Sequence, residues 1–390
     1  MKRHHVTRPH PPQAYLDPDS LSEEVLREAL EREPGDVEAA IALSDLLLDE
    51  GRPEDVIPLL ESFVEHPEVP GDALNNLAFA HFQLGELVRA TTLIAQRLHA
   101  APQDSDALNN LGLLREQRHD WPGAAEAYRE SARHDPDHPY AVANLARVYE
   151  RMGDLEAAAD VLRRGLEVRP EMTEWRAQLA QVLISSGDVK LAILELRRLV
   201  RDDPEDANTH GALGMAYRRQ AEWGPAIAAF EQALEVDPEV QSAWFYLAMS
   251  LADQGQADAA IATYRNLLAR WPQDAEAHNN LGFLLSRRGD YAEAIWEFQQ
   301  AIRLDPDLVM AYLNLGDVLR RKGDPEAAIA QHERALERNP DHPAAHYNLA
   351  LLYEETGRID KAIAHCRHCL SQDLSDGSAQ ALMRRLRPRG

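Results

Sequence analysis

Two cysteines and several histidines near the end of the sequence have the residue types of a zinc site. His365, Cys366, His368 and Cys369 follow one another closely, and helical spacing would place both cysteines on one face. Cysteine and histidine are the usual protein ligands of Zn²⁺, and two of each would complete a tetrahedral site. The candidate ligands are Cys366, Cys369, His332 and His346.

A buried cysteine that packs as a small apolar residue is the alternative to metal binding. Cys366 and Cys369 stand where the repeating pattern described below has an aromatic and a small core residue. We therefore expect core packing, with no metal and no cofactor. Metal binding and redox chemistry remain the alternatives at this cluster.

Asparagine recurs in one register along the chain, with intervals of 34 residues or multiples of 34. A side-chain amide offers both donors and an acceptor, so a row of amides could hold an extended peptide by its backbone. Bonding to a neighbouring helix is the alternative. The middle of the chain interrupts the row with Gln178, Ala212 and Tyr246, close to the apolar Met215, Phe245 and Met249. The row consists of Asn76, Asn110, Asn144, Asn280, Asn314 and Asn348.

Arginines recur a few residues after the asparagine register. Guanidinium groups bind carboxylates in paired hydrogen bonds, so a row of arginines could hold acidic groups of a partner. Pairing with acids on the protein's own surface is the alternative. The candidates are Arg218, Arg219, Arg287, Arg320 and Arg321.

No catalytic signature accompanies these residues in the sequence. The chain has no phosphate-binding glycine loop, no Gly-x-Ser-x-Gly elbow and no His-Glu-x-x-His helix. We therefore predict that the protein is not an enzyme.

The spacing of proline indicates a repeated structural unit that would position all these residues. From Pro102 to Pro340 a proline recurs at every thirty-fourth residue, and Pro34 lies on the same grid. A fixed period of this length is typical of stacked helical repeats. Within 275–308, apolar residues at helical spacing fall in two segments separated by Gly289-Asp290, which predicts a glycine-terminated helix and an aspartate-capped second helix. The same pair recurs as Gly153-Asp154, Gly187-Asp188 and Gly323-Asp324.

The unit resembles the tetratricopeptide repeat. The resemblance is carried by Leu281-Gly282, Ala294, Phe298, Ala301 and Pro306, and it extends over 37–376. It implies an all-α fold, a right-handed α-solenoid of about ten helix–turn–helix repeats of 34 residues. It also implies a concave groove, in which the asparagine row looks like the ladder of the arrays of protein O-GlcNAc transferases. The arginines resemble the carboxylate clamps of chaperone-binding members only loosely, because the Lys-and-Asn pattern of those clamps is absent.

The ends of the array depart from the pattern. The repeat 37–70 is degenerate, with Pro58 inside its second helix, Glu68 on the proline grid and Pro67 and Pro70 displaced from that grid. We predict a disordered leader at 1–19, a capping half-repeat at 20–36, ten repeats over 37–376, and a capping helix and tail at 377–390, with Leu382 and Leu386 facing inward.

Charge and composition argue against several classes of binding partner. A net charge of −24 disfavours binding to nucleic acid and to anionic membranes, and no stretch approaches the roughly 20 apolar residues of a membrane helix. Two cysteines in 390 residues exclude a disulfide scaffold, which favours a cytoplasmic location.

The sequence thus predicts a scaffold or adaptor that binds a protein or peptide partner, with acidic partners as one option. A regulatory or substrate-delivery subunit of an enzyme complex is the alternative. The sequence fixes neither the partner nor the oligomeric state.

Overall fold

The computed structural model describes residues 22–64, 69–138, 140–373 and 377–386. Within these residues there are 22 helices and no strand, which confirms the predicted all-helical fold. The predicted leader 1–19, the tail 387–390 and the grid departures at Pro67 and Glu68 lie outside the described residues. No helix in the described ranges is both long and apolar enough to cross a membrane.

The chain divides into two compact units, of which the first ends at Asp202. Its described part starts with the single helix α1 and continues with five pairs of antiparallel helices, a first and a second helix in each repeat. The helices are α1 (Glu23–Arg32), α2 (Val37–Asp49), α3 (Pro53–Val64), α4 (Gly71–Gln83), α5 (Leu87–Ala100), α6 (Ser105–Gln117), α7 (Trp121–His134), α8 (Ala141–Met152), α9 (Leu155–Val168), α10 (Thr173–Ser186) and α11 (Val189–Asp202).

The second unit begins at Asp203 and has the reverse arrangement, five helix pairs followed by a single helix. Its helices are α12 (Ala207–Arg219), α13 (Trp223–Val236), α14 (Gln241–Asp253), α15 (Ala257–Arg270), α16 (Ala275–Arg288), α17 (Tyr291–Leu304), α18 (Val309–Arg321), α19 (Pro325–Arg338), α20 (Pro343–Glu355), α21 (Ile359–Gln372) and α22 (Gly377–Leu386). Repeat positions are counted below from residue 275 in the repeat 275–308 and likewise in the other repeats.

The predicted glycine turns are present. Gly153, Gly187, Gly289 and Gly323 all have positive φ, between 80° and 98°, a conformation that costs glycine little because it has no Cβ. The predicted aspartate caps form in only two of the four turns. Asp154 and Asp324 accept from the N–H groups of Ala157 and Ala327, at 3.1 and 3.0 Å.

The other two aspartates of these turns bond to side chains instead of capping a helix. Asp290 pairs with Arg288, and Asp188 accepts from the Ser186 hydroxyl. A local polar neighbour thus competes with the backbone for the same carboxylate.

The prolines that recur every 34 residues also accept hydrogen bonds, which their spacing alone does not predict. A proline carbonyl near the end of one repeat accepts a hydrogen bond from the side chain at position 4 of the next, six residues later. A backbone carbonyl in the turn between two repeats is satisfied in this way. The pairs are Arg176–Pro170, His210–Pro204, Trp244–Pro238, His278–Pro272, Tyr312–Pro306 and His346–Pro340.

Close packing accounts for the recurrent glycine at position 8. A Cβ on Gly282 would lie 2.9 Å from the Phe298 ring, and one on Gly316 would lie 2.6 Å from the His332 ring. Position 24, which carries these rings, is aromatic in most repeats that have glycine at position 8. The glycine therefore admits a ring that alanine would displace.

The two ends of the described chain are covered by the single helices. α1 buries Leu26, and α22 buries Leu382 and Leu386. Pro58 lies inside α3, where it has no N–H to donate to the carbonyl of Glu54.

First helices line the inner side of each stack. Successive first helices contact each other, as α2 does α4 and α16 does α18, whereas a second helix contacts mainly the first helices on either side of it. We call the side formed by repeat positions 2, 5, 6, 9, 12 and 13 the first-helix surface. It carries the asparagine row at position 6 and the arginines at positions 12 and 13.

Candidate peptide-binding surface

The asparagines of the first unit are buried between repeats. Asn76 is 1% exposed, and its Nδ2 donates to Ser44 Oγ and Asp45 Oδ1, both at 2.8 Å. Asn144 is also buried, and its Nδ2 donates to Asn109 Oδ1 at 3.0 Å. Asn110 is buried as well. Each described bond joins a repeat to the one before it.

The asparagines of the second unit make the same kind of bond but are only partly buried. Asn314 Nδ2 donates to Asn279 Oδ1 at 2.9 Å, and Asn348 Nδ2 donates to Asp317 Oδ1 at 2.9 Å. Asn280 Nδ2 lies 3.2 Å from the hydroxyl of Tyr264. The side chains thus keep part of their surface at the solvent side.

The alternative interpretation of the row, bonding to a neighbouring helix, is what the described contacts show. Gln178 at the same position does likewise, donating to the Ala143 carbonyl and to Glu150. Asn314 and Asn348 each make one described hydrogen bond, while a side-chain amide has two donors and an oxygen. The oxygen of Asn280 also accepts from Asn279 Nδ2 at 3.2 Å. A role in peptide binding therefore remains a prediction, with more accessible surface in the second unit.

Two of the five candidate arginines are paired across repeats. Arg218 donates to Ser250 Oγ and Asp253 Oδ2, both at 3.0 Å, and its guanidinium lies 5.6 Å from the Trp223 ring. Arg320 forms a paired hydrogen bond to Glu355, which raises its pKa. These two arginines therefore pair with acidic residues of the protein itself, which was the alternative to ligand binding.

Arg287 and Arg321 are exposed and make no hydrogen bond or ion pair with the described part of the chain. Arg287 lies with its guanidinium 6.0 Å from the ring of Phe283. Arg219 is exposed and has an interaction of its own. The first-helix surface of the second unit therefore presents at least two cations available to a ligand.

Two apolar residues of this surface were not predicted. Phe283 at position 9 and Met310 at position 2 of the next repeat are 45% and 48% exposed. Both interrupt the solvent side of an amphipathic helix, and that interruption is the sequence signal that could have identified them. By contrast, Met215, Phe245 and Met249 are partly buried against the core of their unit.

The cysteines lie in the core of the last repeat. Cys366 and Cys369 are buried, and the Cys366 thiol donates to the Ala379 carbonyl at 3.1 Å. The Cys369 sulfur lies 3.8 Å from the Pro343 carbonyl. Among the described residues no group of three or more His, Cys, Asp or Glu side chains is arranged to hold a metal ion.

His332 replaces a core aromatic residue. It is fully buried, and neither ring nitrogen has a hydrogen-bond partner in the described structure. The Asp317 carboxylate is 3.6 Å from Nε2, too far for a hydrogen bond. Burial lowers the pKa of His332 to about 4, so the ring packs in its neutral form.

His346 bonds to a second histidine. Its Nε2 donates to the Pro340 carbonyl at 2.8 Å, so in the neutral ring Nδ1 carries no proton and accepts from Nδ1–H of His365, also at 2.8 Å. The His368 ring stacks on His346 at 3.8 Å. Burial, followed by the neighbouring histidine, lowers the pKa of His365 to about 4, and burial lowers the pKa of His346 as well.

Comparisons with solved structures found several helical-repeat proteins. MamA from Desulfovibrio magneticus RS-1 is 21% identical, with 44% of this chain and 97% of that chain covered and a TM-score of 0.42. YrrB, described as a TPR protein with an unusual peptide-binding site, is 23% identical over 48% and 96%, at 0.41. A tetratricopeptide repeat protein from Parabacteroides merdae ATCC 43184 is 18% identical over 64% and 98%, at 0.47. No curated protein matched.

Sequence models of the tetratricopeptide repeat decide the family. One matches residues 80–139, 212–265 and 313–376. A second matches 239–307 and 274–341, and a third matches 116–171 and 151–216. Together these matches run from residue 80 to residue 376, which is most of the chain, and the helix pairs, glycine turns and alanine-lined core agree with them. This chain belongs to the tetratricopeptide repeat family.

Proposed function

We propose that the protein is a non-enzymatic interaction scaffold that binds an extended peptide or a partner helix on the first-helix surface of its second unit. Tetratricopeptide repeat proteins are generally protein-interaction scaffolds. Fold alone does not assign a function, so the proposal is argued from this surface.

The exposure of Phe283 carries the proposal. Phe283 and, one repeat later, Met310 are large apolar side chains that are about half exposed on the first-helix surface. Aromatic and methionine side chains are enriched where proteins bind each other. These two residues would take apolar side chains of the ligand.

Charge supports an acidic ligand. Arg287 beside Phe283 and Arg321 in the next repeat form no hydrogen bond or ion pair within the described residues, in a chain whose net charge is −24. Arg321 interacts with the Asp317 carboxylate only at longer range. Arg218, Arg219 and Arg320 would add to this charge to the extent that a ligand carboxylate competes with their internal partners.

The asparagines would bind the peptide backbone. Asn280, Asn314 and Asn348 are partly exposed, and each hydrogen bond to a peptide contributes about 0.5–1.5 kcal/mol net. Asn76, Asn110 and Asn144 are proposed to contribute less, because burial leaves them little surface.

Selection from a random peptide library, followed by calorimetric titration, tests the proposal. The selected peptides should carry acidic and apolar residues. Phe283→Ala should weaken binding about tenfold or more, because burying an aromatic side chain contributes about 1.5–3 kcal/mol. Replacing Asn280, Asn314 and Asn348 together by alanine should weaken it by about one to three orders of magnitude. Reversing charge at Arg287 should weaken it in a salt-dependent way.

Trp296→Ala is the matched control, because Trp296 is an equally exposed aromatic residue of the same repeat that lies on the second helix. It should leave binding unchanged. If Phe283→Ala stays folded and binds as the wild type does, the ligand uses another surface and the proposal fails.

A further inference from the structure

The first unit contains a cleft between the second helices α7 and α9. It has a volume of about 300 Å³ and lies outside the first-helix surface. Val142 and Leu145 are buried in it, Val161 is partly buried, and Val168 is 55% exposed at its edge. Gly165 completes the lining at a point where a Cβ would contact Val142 and Trp175. The interior is therefore aliphatic.

A second cleft lies at the equivalent place one repeat later and is built differently. It has a volume of about 510 Å³, and Arg176 and Glu195 occupy the positions that Val142 and Val161 hold in the first. These two side chains form an ion pair at 2.9 Å inside it. The same backbone arrangement thus gives one polar cleft and one aliphatic cleft.

Arginines surround the aliphatic cleft. Arg129, Arg133 and Arg164 line it, and none of its described lining residues is acidic. Arg129 donates to the Tyr149 hydroxyl at 2.6 Å, Arg133 pairs with Glu130 on its own helix, and Arg164 makes no ion pair within the described residues. An excess of positive charge around an aliphatic interior is unusual on a chain of net charge −24.

We infer that this cleft binds an acidic peptide segment that places an aliphatic side chain between α7 and α9. The aliphatic interior would exclude water from a leucine-like side chain, and the arginines would attract the flanking carboxylates. The site is independent of the first-helix surface, so the protein would have two separate interaction surfaces.

The test uses calorimetric titration of the full chain with the capped peptide acetyl-Glu-Glu-Leu-Leu-Glu-Glu-amide. The same peptide with alanine in place of leucine should bind about tenfold more weakly, because less apolar surface is buried. Arg164→Ala should weaken binding about fivefold at low salt. Arg163→Ala is its matched control, since Arg163 is the neighbouring residue of α9 but lines the other cleft.

A graft variant, Val142→Arg with Val161→Glu, should abolish binding while the protein stays folded, because the next repeat has this ion pair at the same positions. Phe283→Ala should leave this binding unchanged, which separates the cleft from the proposed first-helix site. The inference is overturned if the leucine peptide shows no saturable binding, if it binds the folded graft variant equally well, or if octanoate binds the cleft and the peptide does not.

Discussion

The histidine at position 4 has a carboxylate as its Nδ1 partner in the repeat 275–308 and a second histidine in the repeat 343–376. His278 donates from Nε2 to the Pro272 carbonyl at 3.1 Å, and its Nδ1 lies 2.5 Å from Glu297. Both ring nitrogens of His278 therefore face oxygen atoms. His346 makes the same bond to a proline carbonyl, but its Nδ1 faces His365 and has to be an acceptor.

The difference teaches that position 23, on the facing helix, decides which partner the Nδ1 atom at position 4 meets. The two repeats share the backbone and the bond to the proline, and they differ in having Glu297 or His365 at that position. The repeat between them, 309–342, adds the buried neutral His332 where 275–308 has Phe298. The chain from 309 to 376 should therefore be destabilised by acid, because burial lowers the pKa values of its histidines His332, His346 and His365.

The largest effect is expected on removing the carboxyl partner of His278. Glu297→Leu removes one member of a buried His–Glu pair and should destabilise the repeat 275–308 by about 3–5 kcal/mol. Native-state hydrogen exchange of the α16 and α17 amides measures this, because an array opens locally. Gln331→Leu, at the same position of the next repeat, should change exchange little, because Tyr312 needs no charged partner. If Glu297→Leu and Gln331→Leu change hydrogen exchange equally, the residue at position 23 has no special role beside His278.

Acid should destabilise the chain from 309 to 376. The pKa of His332 is about 4 in the folded protein and about 6.5 when unfolded, so the unfolded chain takes up a proton first as the pH falls. Stability is therefore fully present above pH 6.5 and is lost by about 2–3 kcal/mol as the pH approaches 4. Hydrogen exchange in α18 and α19, corrected for intrinsic rates at each pH, should show this loss.

The His332→Phe variant isolates the contribution of that ring, since Phe298 holds the same position in the preceding repeat. It should remove most of the acid sensitivity of α18 and α19 and leave that of α20 and α21, where His346 and His365 also have lowered pKa values. If acid sensitivity is undiminished in the variant, carboxylates rather than His332 are responsible.

The smallest effect is expected from His365→Glu, which should reverse the direction in which stability changes with pH. This change gives His346 the carboxylate partner that His278 has, so the Nδ1 of His346 becomes a donor. A histidine pKa raised by a partner contributes stability that is present below pH 6.5 and lost as the pH rises through the raised pKa. The pH response of this pair should thus reverse, by about 1 kcal/mol.

Nitrogen-15 chemical shifts of the His346 ring measure its protonation directly and distinguish the one-proton from the two-proton form. A His346 ring that remains singly protonated at pH 6 in the His365→Glu variant would show that position 23 does not set its charge.

The sequence predicted the repeat and its turns well because those features are local. Gly153 and Gly289 end helices whatever they pack against, and the proline period fixes where each second helix stops. The aspartate caps were only half right, because Asp188 and Asp290 are free to bond to nearby side chains as well as to the backbone. That choice depends on competing partners rather than on spacing.

The candidate site was predicted less completely. Sequence reasoning identified the asparagine row but not the bonds from Asn314 to Asn279 and from Asn348 to Asp317, which join residues more than 30 positions apart. It identified Arg287 and missed Phe283, although the two lie side by side on one helix. Exposure of a side chain depends on which neighbours cover it.

By itself, the sequence determined the helical repeat, its period and its family, since these follow from the propensities and spacing of residues within a single unit. Only the tertiary structure decided which polar side chains form hydrogen bonds between repeats and which remain able to bind a ligand. It also decided that the Nδ1 atom of His278 lies against Glu297 and that of His346 against His365. The physical reason is that hydrogen bonding and protonation depend on partners brought within about 3 Å by folding, and a one-dimensional pattern does not specify those partners.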